Sequence, residues 1–305
     1  MSGGATQAEE RTAAPPRPEV PPALVLLVSV LAISWAAPLV RFSHAPALAI
    51  SFWRLAFSLV LIAGVLTARR EWGELRRLSR RDLATAGVAG VFLAGHFATW
   101  ISSIGLTSVA ASVVLVDTAP IFVALFSALF LREVPGRRQW MGIVLAVAGA
   151  AWIGWGDLGG GAAPLRGDLL ALAGAVLVAG YYVIGRSLRA RIEIWPFVGV
   201  VYGCAALTLL VTLLATGVPP TGYAPVDWEV FAALAVGPMM IGHTGQNWAL
   251  RWLPAYVVNL SLLGEPVGAT LIAWLLPAIA ETPPPAALAG GALILVGILL
   301  GMEKR

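Results

Sequence analysis

The sequence predicts an all-α membrane protein of ten transmembrane helices, built as two inverted-topology repeats of five helices around a central cavity. Composition, apolar spacing and an internal repeat predict it. Of 305 residues, 59% are hydrophobic and only 12% are charged, which lies outside the range of soluble domains. Apolar stretches of about 18–25 residues recur, the length that a helix needs to cross a bilayer. The ten stretches are 23–40, 47–67, 83–104, 109–131, 139–156, 168–186, 195–216, 229–250, 255–277 and 285–302.

The basic residues predict how these spans are oriented. Of the 20 lysine and arginine residues, 17 fall at the termini or in every second gap between spans. Arg41 and Arg166 lie in the other gaps, and Arg54 lies inside the second span. Because basic residues mark the cytoplasmic side, we expect a multi-pass inner-membrane protein with both termini in the cytoplasm. The same placement explains the net positive charge, so we expect no nucleic-acid partner.

The remaining sequence leaves little room for other modules. Residues 1–22 are rich in Pro, Ala, Glu and Arg, which predicts a disordered cytoplasmic tail. The gaps between the spans are too short for a soluble domain. Cys204 is the single cysteine, so an internal disulfide or cysteine-based metal site is excluded. With no phosphate-binding glycine loop either, we predict no cofactor and no bound metal.

An internal repeat relates the two halves of the chain. Residues 108–154 resemble residues 254–301, with a two-residue insertion in the second copy. Because each half holds five spans, an odd number, the second half must enter the membrane from the opposite face. Inverted repeats of this kind are typical of secondary transporters that work by alternating access. The matched residues are Gly95-His96 with Gly242-His243, Pro120 with Pro266, Glu133 with Glu281, Pro135 with Pro283, Gly142 with Gly290, and Gly149 with Gly297.

The predicted domain organisation follows from this repeat. After the tail at 1–22, the first five-helix repeat covers 23–156 and the second covers 157–305. We expect a lipid bilayer and a small molecule as partners, and the sequence leaves open whether the chain is a monomer or a homodimer.

Several segments resemble a known family. They are ISWAAPLVRF, ISFWRLAF, VDTAPIFVALFSALFLRE and LLGEPVGATLIAWLLPAIAE. In their order and ten-span layout they resemble the EamA-type ten-helix carriers of the drug/metabolite transporter superfamily. Within it, the chain is most similar to the group of aromatic and neutral amino-acid exporters known as YddG. The resemblance implies export of small metabolites across an inner membrane; Asp117 departs from the small or hydroxyl residue expected before the proline.

Polar residues at membrane depth are the candidate substrate contacts, because such groups usually face a cavity or each other. His96 and His243 occupy matching places in the third and eighth spans. Trp100 shares a helical face with His96, and Gln246 shares one with His243. Two such faces meeting would form a polar pocket. The alternative is that each histidine only hydrogen-bonds a backbone carbonyl.

Two carboxylates are the deepest acidic groups. Asp117 and Glu265 precede Pro120 and Pro266, which free backbone carbonyls and are expected to kink both helices. A carboxylate there could bind a substrate ammonium or carry a coupled proton. The alternative is a structural ion pair with Arg54 or a helix cap.

Two deep aromatic residues, Trp35 and Tyr181, are the remaining candidate pocket walls, with packing against lipid as the alternative. Glu133 and Glu281, near span ends, are predicted to be caps or gate contacts. The matched glycines of the fifth and tenth spans predict close helix packing or a dimer contact; they are Gly142, Gly149, Gly290 and Gly297.

Two other function classes fit less well. An intramembrane enzyme would need a nucleophile loop or paired aspartates in a glycine-rich context, and the sequence contains neither. A channel would need rings of charged side chains or a filter of backbone carbonyls, and neither is visible in the sequence. We therefore predict a carrier that is not an enzyme. The resemblance implies that it exports aromatic or neutral amino acids, with other metabolites or cationic drugs as the alternative substrates.

Overall fold

A computed structural model describes residues 18–154, 162–275 and 285–302, and these residues are helical without strands. Six described helices are long and apolar enough to cross a membrane. The helices are α1 Pro22–Ile33, α2 Ala36–Phe42, α3 Ala47–Ala68, α4 Trp72–Arg76, α5 Arg80–Ile104, α6 Val109–Val116, α7 Ala119–Phe126, α8 Arg137–Gly154, α9 Pro164–Arg189, α10 Ile194–Ala215, α11 Pro225–Leu234, α12 Thr244–Ala249, α13 Ala255–Ser261, α14 Glu265–Leu275 and α15 Pro285–Met302.

The helix breaks predicted at the two matched prolines are confirmed. One helix stops at Val116, and the next begins at Ala119 with Pro120 in its first turn. In the second half, α13 ends at Ser261 and a short 3₁₀ segment leads into α14. The first turn of a helix tolerates proline, but in a helix interior proline lacks the N–H that a continuous helix needs. Both breaks therefore follow from local sequence.

Two further spans are irregular. The first is split into α1 and α2 at Ser34 and Trp35. The eighth runs from α11 through a π-helical stretch, Ala235–His243, into α12, and Pro238 lies inside that stretch. Single π turns often mark functional sites. Here the wide turn ends at His243.

Glycine contacts join the fifth and tenth predicted spans within the chain. A Cβ placed on Gly149 would lie 2.6 Å from the carbonyl oxygen of Gly290, and one on Gly297 would lie 2.6 Å from that of Gly142. Only the missing side chains let α8 and α15 approach so closely. The predicted packing role is confirmed, and the contact lies inside one chain.

The exterior is apolar, as a bilayer-spanning bundle requires. Large side chains such as Val60, Leu129 and Leu299 are 69%, 70% and 69% exposed. Several polar and charged side chains of the spans are instead buried, including Arg54 with 0% exposure. Polar groups in hydrocarbon are costly, so they turn toward one another or toward a cavity.

Four of the predicted spans are not among the six long apolar helices. They correspond to α8, to α11 with its π stretch and α12, to α13 with α14, and to α15. The last of these contains a shorter apolar helix, Leu288–Met302. The total of ten spans and their inverted arrangement stay predictions. Glu281 and Pro283 lie outside the described residues.

Candidate functional site

A small cavity of about 50 Å³ lies where the broken helices meet. This volume holds a few water molecules. It is far smaller than the several hundred Å³ of a typical ligand pocket, so a metabolite can enter only if the helices around it move. Its lining is Ile33, Ala36, Arg54, His96, Trp100, Val116, Asp117, Ala119, Pro120, Val178, His243, Asn259, Leu262, Leu263 and Glu265.

Arg54 supplies the positive charge of the cavity. It projects from α3 and is fully buried. Its guanidinium carbon lies 4.2 Å from the centre of the Phe97 ring, a cation–π contact. Among the described residues, its three guanidinium nitrogens have no hydrogen-bond partner. A buried cation whose donors are unused can accept an anionic ligand.

Asp117 and Glu265 bring two carboxyl groups to the same cavity. Each stands at a helix break, after α6 and at the start of α14. The hydroxyl of Ser34 donates to the backbone oxygen of Glu265 at 3.2 Å and so joins the end of α1 to that break. Within the described part of the chain, neither carboxyl group forms an ion pair with Arg54. The expected structural pair with Arg54 is thus not formed in this conformation.

The two matched histidines both reach the cavity and both contact Phe97. The ring centres of His96 and His243 lie 5.1 and 5.3 Å from that of Phe97. His96 Nδ1 lies 3.0 Å from the carbonyl oxygen of Gly174, which can only accept, so Nδ1 carries a proton. His96 therefore combines both predicted roles, a backbone hydrogen bond and a place in the lining. His243 Nδ1 has no partner among the described residues.

Trp100 and Asn259 complete the polar lining. The indole ring of Trp100 is parallel to the His96 ring, with centres 6.1 Å apart. Trp100 Nε1 and Asn259 Oδ1 are buried and have no hydrogen-bond partner in the described structure. Buried polar atoms normally find partners. The cavity thus offers unused donors and acceptors around a partly aromatic wall.

Three other predicted site residues lie away from the lining. Gln246 is buried and donates to the Ser261 hydroxyl at 3.3 Å. Tyr181 is buried and accepts a hydrogen bond from Asn247. Trp35 is 39% exposed. Gln246 and Tyr181 are thus buried outside the cavity lining, whereas Trp35 faces outward. Whether any of the eight predicted residues binds substrate stays a prediction.

Ion pairs gather at one end of the bundle, here called the arginine-rich end. Arg186 at the end of α9 donates to the Glu133 carboxylate at 2.9 Å and to the Leu250 carbonyl oxygen at 2.7 Å. Arg251 pairs with Glu193, and Arg191 pairs with Asp82. A single guanidinium therefore links the segment after α7 to the end of α12.

Asp227 organises the opposite end. Its carboxylate accepts hydrogen bonds from the Ser43 hydroxyl at 2.7 Å, the His44 N–H at 2.8 Å and the Ala224 N–H at 3.1 Å. Burial opposes ionisation, but these hydrogen bonds outweigh it and lower the pKa of Asp227 below its usual value. The ionised side chain fastens the loop between α2 and α3 to the start of α11.

A metal site has no support in the described residues, since no group of three or more histidine, cysteine, aspartate or glutamate side chains could hold an ion there. The chemistry on offer is hydrogen bonding, ion pairing and ring stacking.

Comparison with known families is decisive about the class. The model of the EamA-like transporter family matches residues 22–155 and again residues 165–302. The chain belongs to this family. As an EamA-like transporter it is a membrane protein with several apolar helices, and the resemblance predicted at the superfamily level is confirmed. Membership of a transporter family agrees with the prediction that it is not an enzyme.

Curated relatives of this EamA-like transporter are also transporters. A "Probable terminal-alkyne amino-acid exporter" of Streptantibioticus cattleyicolor is 30% identical over 74% of this chain and 75% of its own. A Bacillus subtilis chain described as "Uncharacterized transporter YdfC" is 28% identical over 78% and 76%. An Archaeoglobus fulgidus "Uncharacterized transporter" is 26% identical over 87% and 91%.

A crystal structure with 22% identity has the same fold, with a TM-score of 0.76 over 92% of this chain and 96% of the other.

Two polar residues that line the cavity of the EamA-like transporter, Arg54 and Asn259, are absent from the site predicted from the sequence. The sequence does mark Arg54 as a basic residue in the middle of a predicted span, but that position alone predicts an ion-pair partner as readily as a ligand contact. Asn259 gave only a weak signal, a single amide in an apolar run.

Proposed function

We propose that the chain is a secondary transporter that exports small metabolites, most suitably aromatic or neutral amino acids, by alternating access. The observation that carries this proposal is the cavity at the junction of the broken helices, which is lined by charged and polar side chains as well as apolar ones. Unwound helix ends beside a mid-membrane cavity are the usual substrate site of secondary transporters. The family membership supports transport, and the cavity supplies a place for it.

The proposed architecture is two inverted five-helix repeats, 23–156 and 157–305, in an inner membrane with both termini in the cytoplasm. The family match to 22–155 and 165–302 supports the two halves. The grouping of Arg186, Arg191 and Arg251 at one end supports the orientation, because basic residues mark the cytoplasmic side. Reporter tags on the two termini, probed from each side of the membrane, test it; tags on opposite sides would contradict the repeat.

An amino-acid substrate is supported by the chemistry of the lining. The cavity presents one guanidinium, two carboxyl groups and the stacked rings of His96 and Trp100. The relative from Streptantibioticus cattleyicolor is described as an amino-acid exporter, which supports the same substrate class. The narrower resemblance to the YddG group stays a prediction.

A cationic metabolite or drug is the second candidate. Asp117 and Glu265 outnumber the single Arg54 in the lining, so a cation would find two acidic partners if both were ionised. A permanently cationic dye therefore belongs in every substrate screen.

Counterflow in proteoliposomes tests the function. Vesicles preloaded with unlabelled amino acid should take up the labelled compound transiently and in a saturable way, because a carrier exchanges its substrate. Flux that rises linearly with concentration would indicate a channel, and a chemically altered product would indicate an enzyme. Repeating the assay with and without a pH gradient shows whether transport is coupled to protons.

A further inference from the structure

We propose that Arg54 binds the carboxylate of the substrate while Asp117 and Glu265 face its ammonium group, so that the cavity selects zwitterionic α-amino acids. The inference rests on the proposed transport function and deepens it by naming the substrate class and the residue that reads the carboxylate. It concerns one basic and two acidic residues that line the same small cavity and form no ion pair with one another among the described residues.

The first support is the state of Arg54. A fully buried guanidinium is costly unless its N–H groups are paired. The Phe97 ring covers the group at 4.2 Å, yet none of its three nitrogens has a hydrogen-bond partner among the described residues. The contact with the ring supplies no hydrogen-bond acceptor in the plane of the guanidinium, so its N–H groups stay unused among the described residues. Their planar fork matches a carboxylate in a bidentate geometry.

The second support is the placement of the acidic groups. Asp117 is 6% exposed, and its Oδ2 has no partner in the described structure. Glu265 lines the same cavity from the other broken segment. Asp117 and Glu265 lie at two helix breaks, whereas Arg54 lies on α3, and no ion pair joins them among the described residues. A small molecule with both charges can satisfy both ends at once.

A definite selectivity follows. A ligand without the carboxylate leaves Arg54 unpaired, and one without the amine leaves the carboxyl groups unpaired. Unpaired buried polar groups discriminate far more strongly than a missing methylene does. The aromatic rings near His96 should therefore discriminate between substrate side chains only weakly. The charged residues should discriminate more strongly for ligands that carry both a carboxylate and an ammonium group.

A ligand series in the wild-type carrier tests this without any substitution. Unlabelled L-phenylalanine, its amide L-phenylalaninamide and the amine-free acid 3-phenylpropionate are compared as competitors of labelled L-phenylalanine exchange. A second series compares L-valine, L-valinamide and 3-methylbutyrate in the same way. We expect the amide and the amine-free acid to compete about tenfold or more weakly than the parent amino acid. Equal competition by the amide would overturn the role of Arg54.

Arginine variants identify the residue. Arg54→Gln should reduce the preference for the amino acid over its amide to about threefold or less, and Arg54→Lys should retain part of it, since lysine keeps charge but loses the fork. Arg189→Lys is the matched control: Arg189 is also buried, but its guanidinium donates to the backbone oxygens of Asn247 and Ile192. Monodispersity and the thermal midpoint report folding of each variant.

The outcomes separate this inference from the transport proposal. Amino-acid exchange whose amide discrimination survives in a folded Arg54→Gln variant overturns the inference alone. Saturable exchange of other metabolites but of neither amino acid also overturns it and leaves the carrier intact. Absence of saturable exchange for every compound contradicts both. Discrimination that is lost in Arg54→Gln and kept in Arg189→Lys supports the assignment.

Discussion

Arg186 and Glu133 form an ion pair at 2.8 Å that joins the end of α9 to the segment following α7. The same guanidinium reaches the carbonyl oxygens of Leu250 and Arg251 at 2.7 and 3.2 Å. One side chain therefore connects three segments at the arginine-rich end. In an alternating-access carrier, contacts of this kind hold one side closed while the other opens.

Breaking this pair should favour opening at the arginine-rich end. The pair is about a quarter exposed, with 22% for Arg186 and 26% for Glu133, so Glu133→Gln should shift the closed–open equilibrium by up to about fivefold. Arg186→Gln should do more, because it also removes the carbonyl contacts. Opening can be measured with a cysteine placed in the cavity by Asn259→Cys, in a Cys204→Ser background that removes the native thiol. The rate at which this cysteine reacts with a membrane-impermeant thiol reagent rises when the arginine-rich end opens.

The control for this experiment is the exposed pair between Arg77 and Glu74. Its nitrogen–oxygen distance is 2.9 Å, but its side chains are 78% and 51% exposed. Glu74→Gln should leave the labelling rate unchanged. Equal rates in the wild type, Glu133→Gln and Arg186→Gln would show that the pair does not hold a gate.

Trp100 should contribute to substrate binding through its ring and its indole N–H. Trp100→Phe removes the unpartnered donor and should weaken the apparent affinity for substrate by about three- to tenfold. The affinity is measured from the dependence of the thermal midpoint on substrate concentration. Trp35→Phe is the matched control, because Trp35 is exposed and does not line the cavity. If both variants bind alike, Trp100 has no part in the site.

The packing of α8 on α15 should depend on the absence of a side chain at position 149. Gly149→Ala places a Cβ 2.6 Å from the Gly290 carbonyl oxygen and should destabilise the protein by about 1–3 kcal/mol. Gly64→Ala meets nothing within 4 Å, so it should be neutral or stabilising by up to about 1 kcal/mol. Thermal midpoints in detergent measure both; an unchanged midpoint for Gly149→Ala argues against the close crossing.

The carboxylate of Asp227 should make stability depend on acid pH. Its lowered pKa means that the ionised form stabilises the fold above the ordinary aspartate value of about 3.9, and that this contribution is lost as the pH falls below it. Asp227→Asn should lower the thermal midpoint at pH 7, and the difference from wild type should shrink below about pH 4. A difference independent of pH would assign the effect to packing.

Local chemistry explains which parts of the site could be predicted. The kinks at Pro120 and Pro266 follow from the missing proline N–H, and the histidine pair follows from the cost of polar groups in hydrocarbon. Five of the eight predicted residues line the cavity: His96, Trp100, Asp117, His243 and Glu265. Trp35 shows the limit, since depth along a span does not reveal which face of a helix meets lipid.

The sequence by itself determined the class of this protein, because apolar length, arginine placement and the internal repeat can all be read from the order of the residues and the thickness of a bilayer. The tertiary structure decided which buried groups share a space. It placed Arg54 beside Phe97, with no ion pair to Asp117 or Glu265 among the described residues. It also buried Tyr181 and Gln246 outside the cavity lining. Rotation of each helix about its own axis causes the difference, because it is fixed by close packing between helices far apart in sequence.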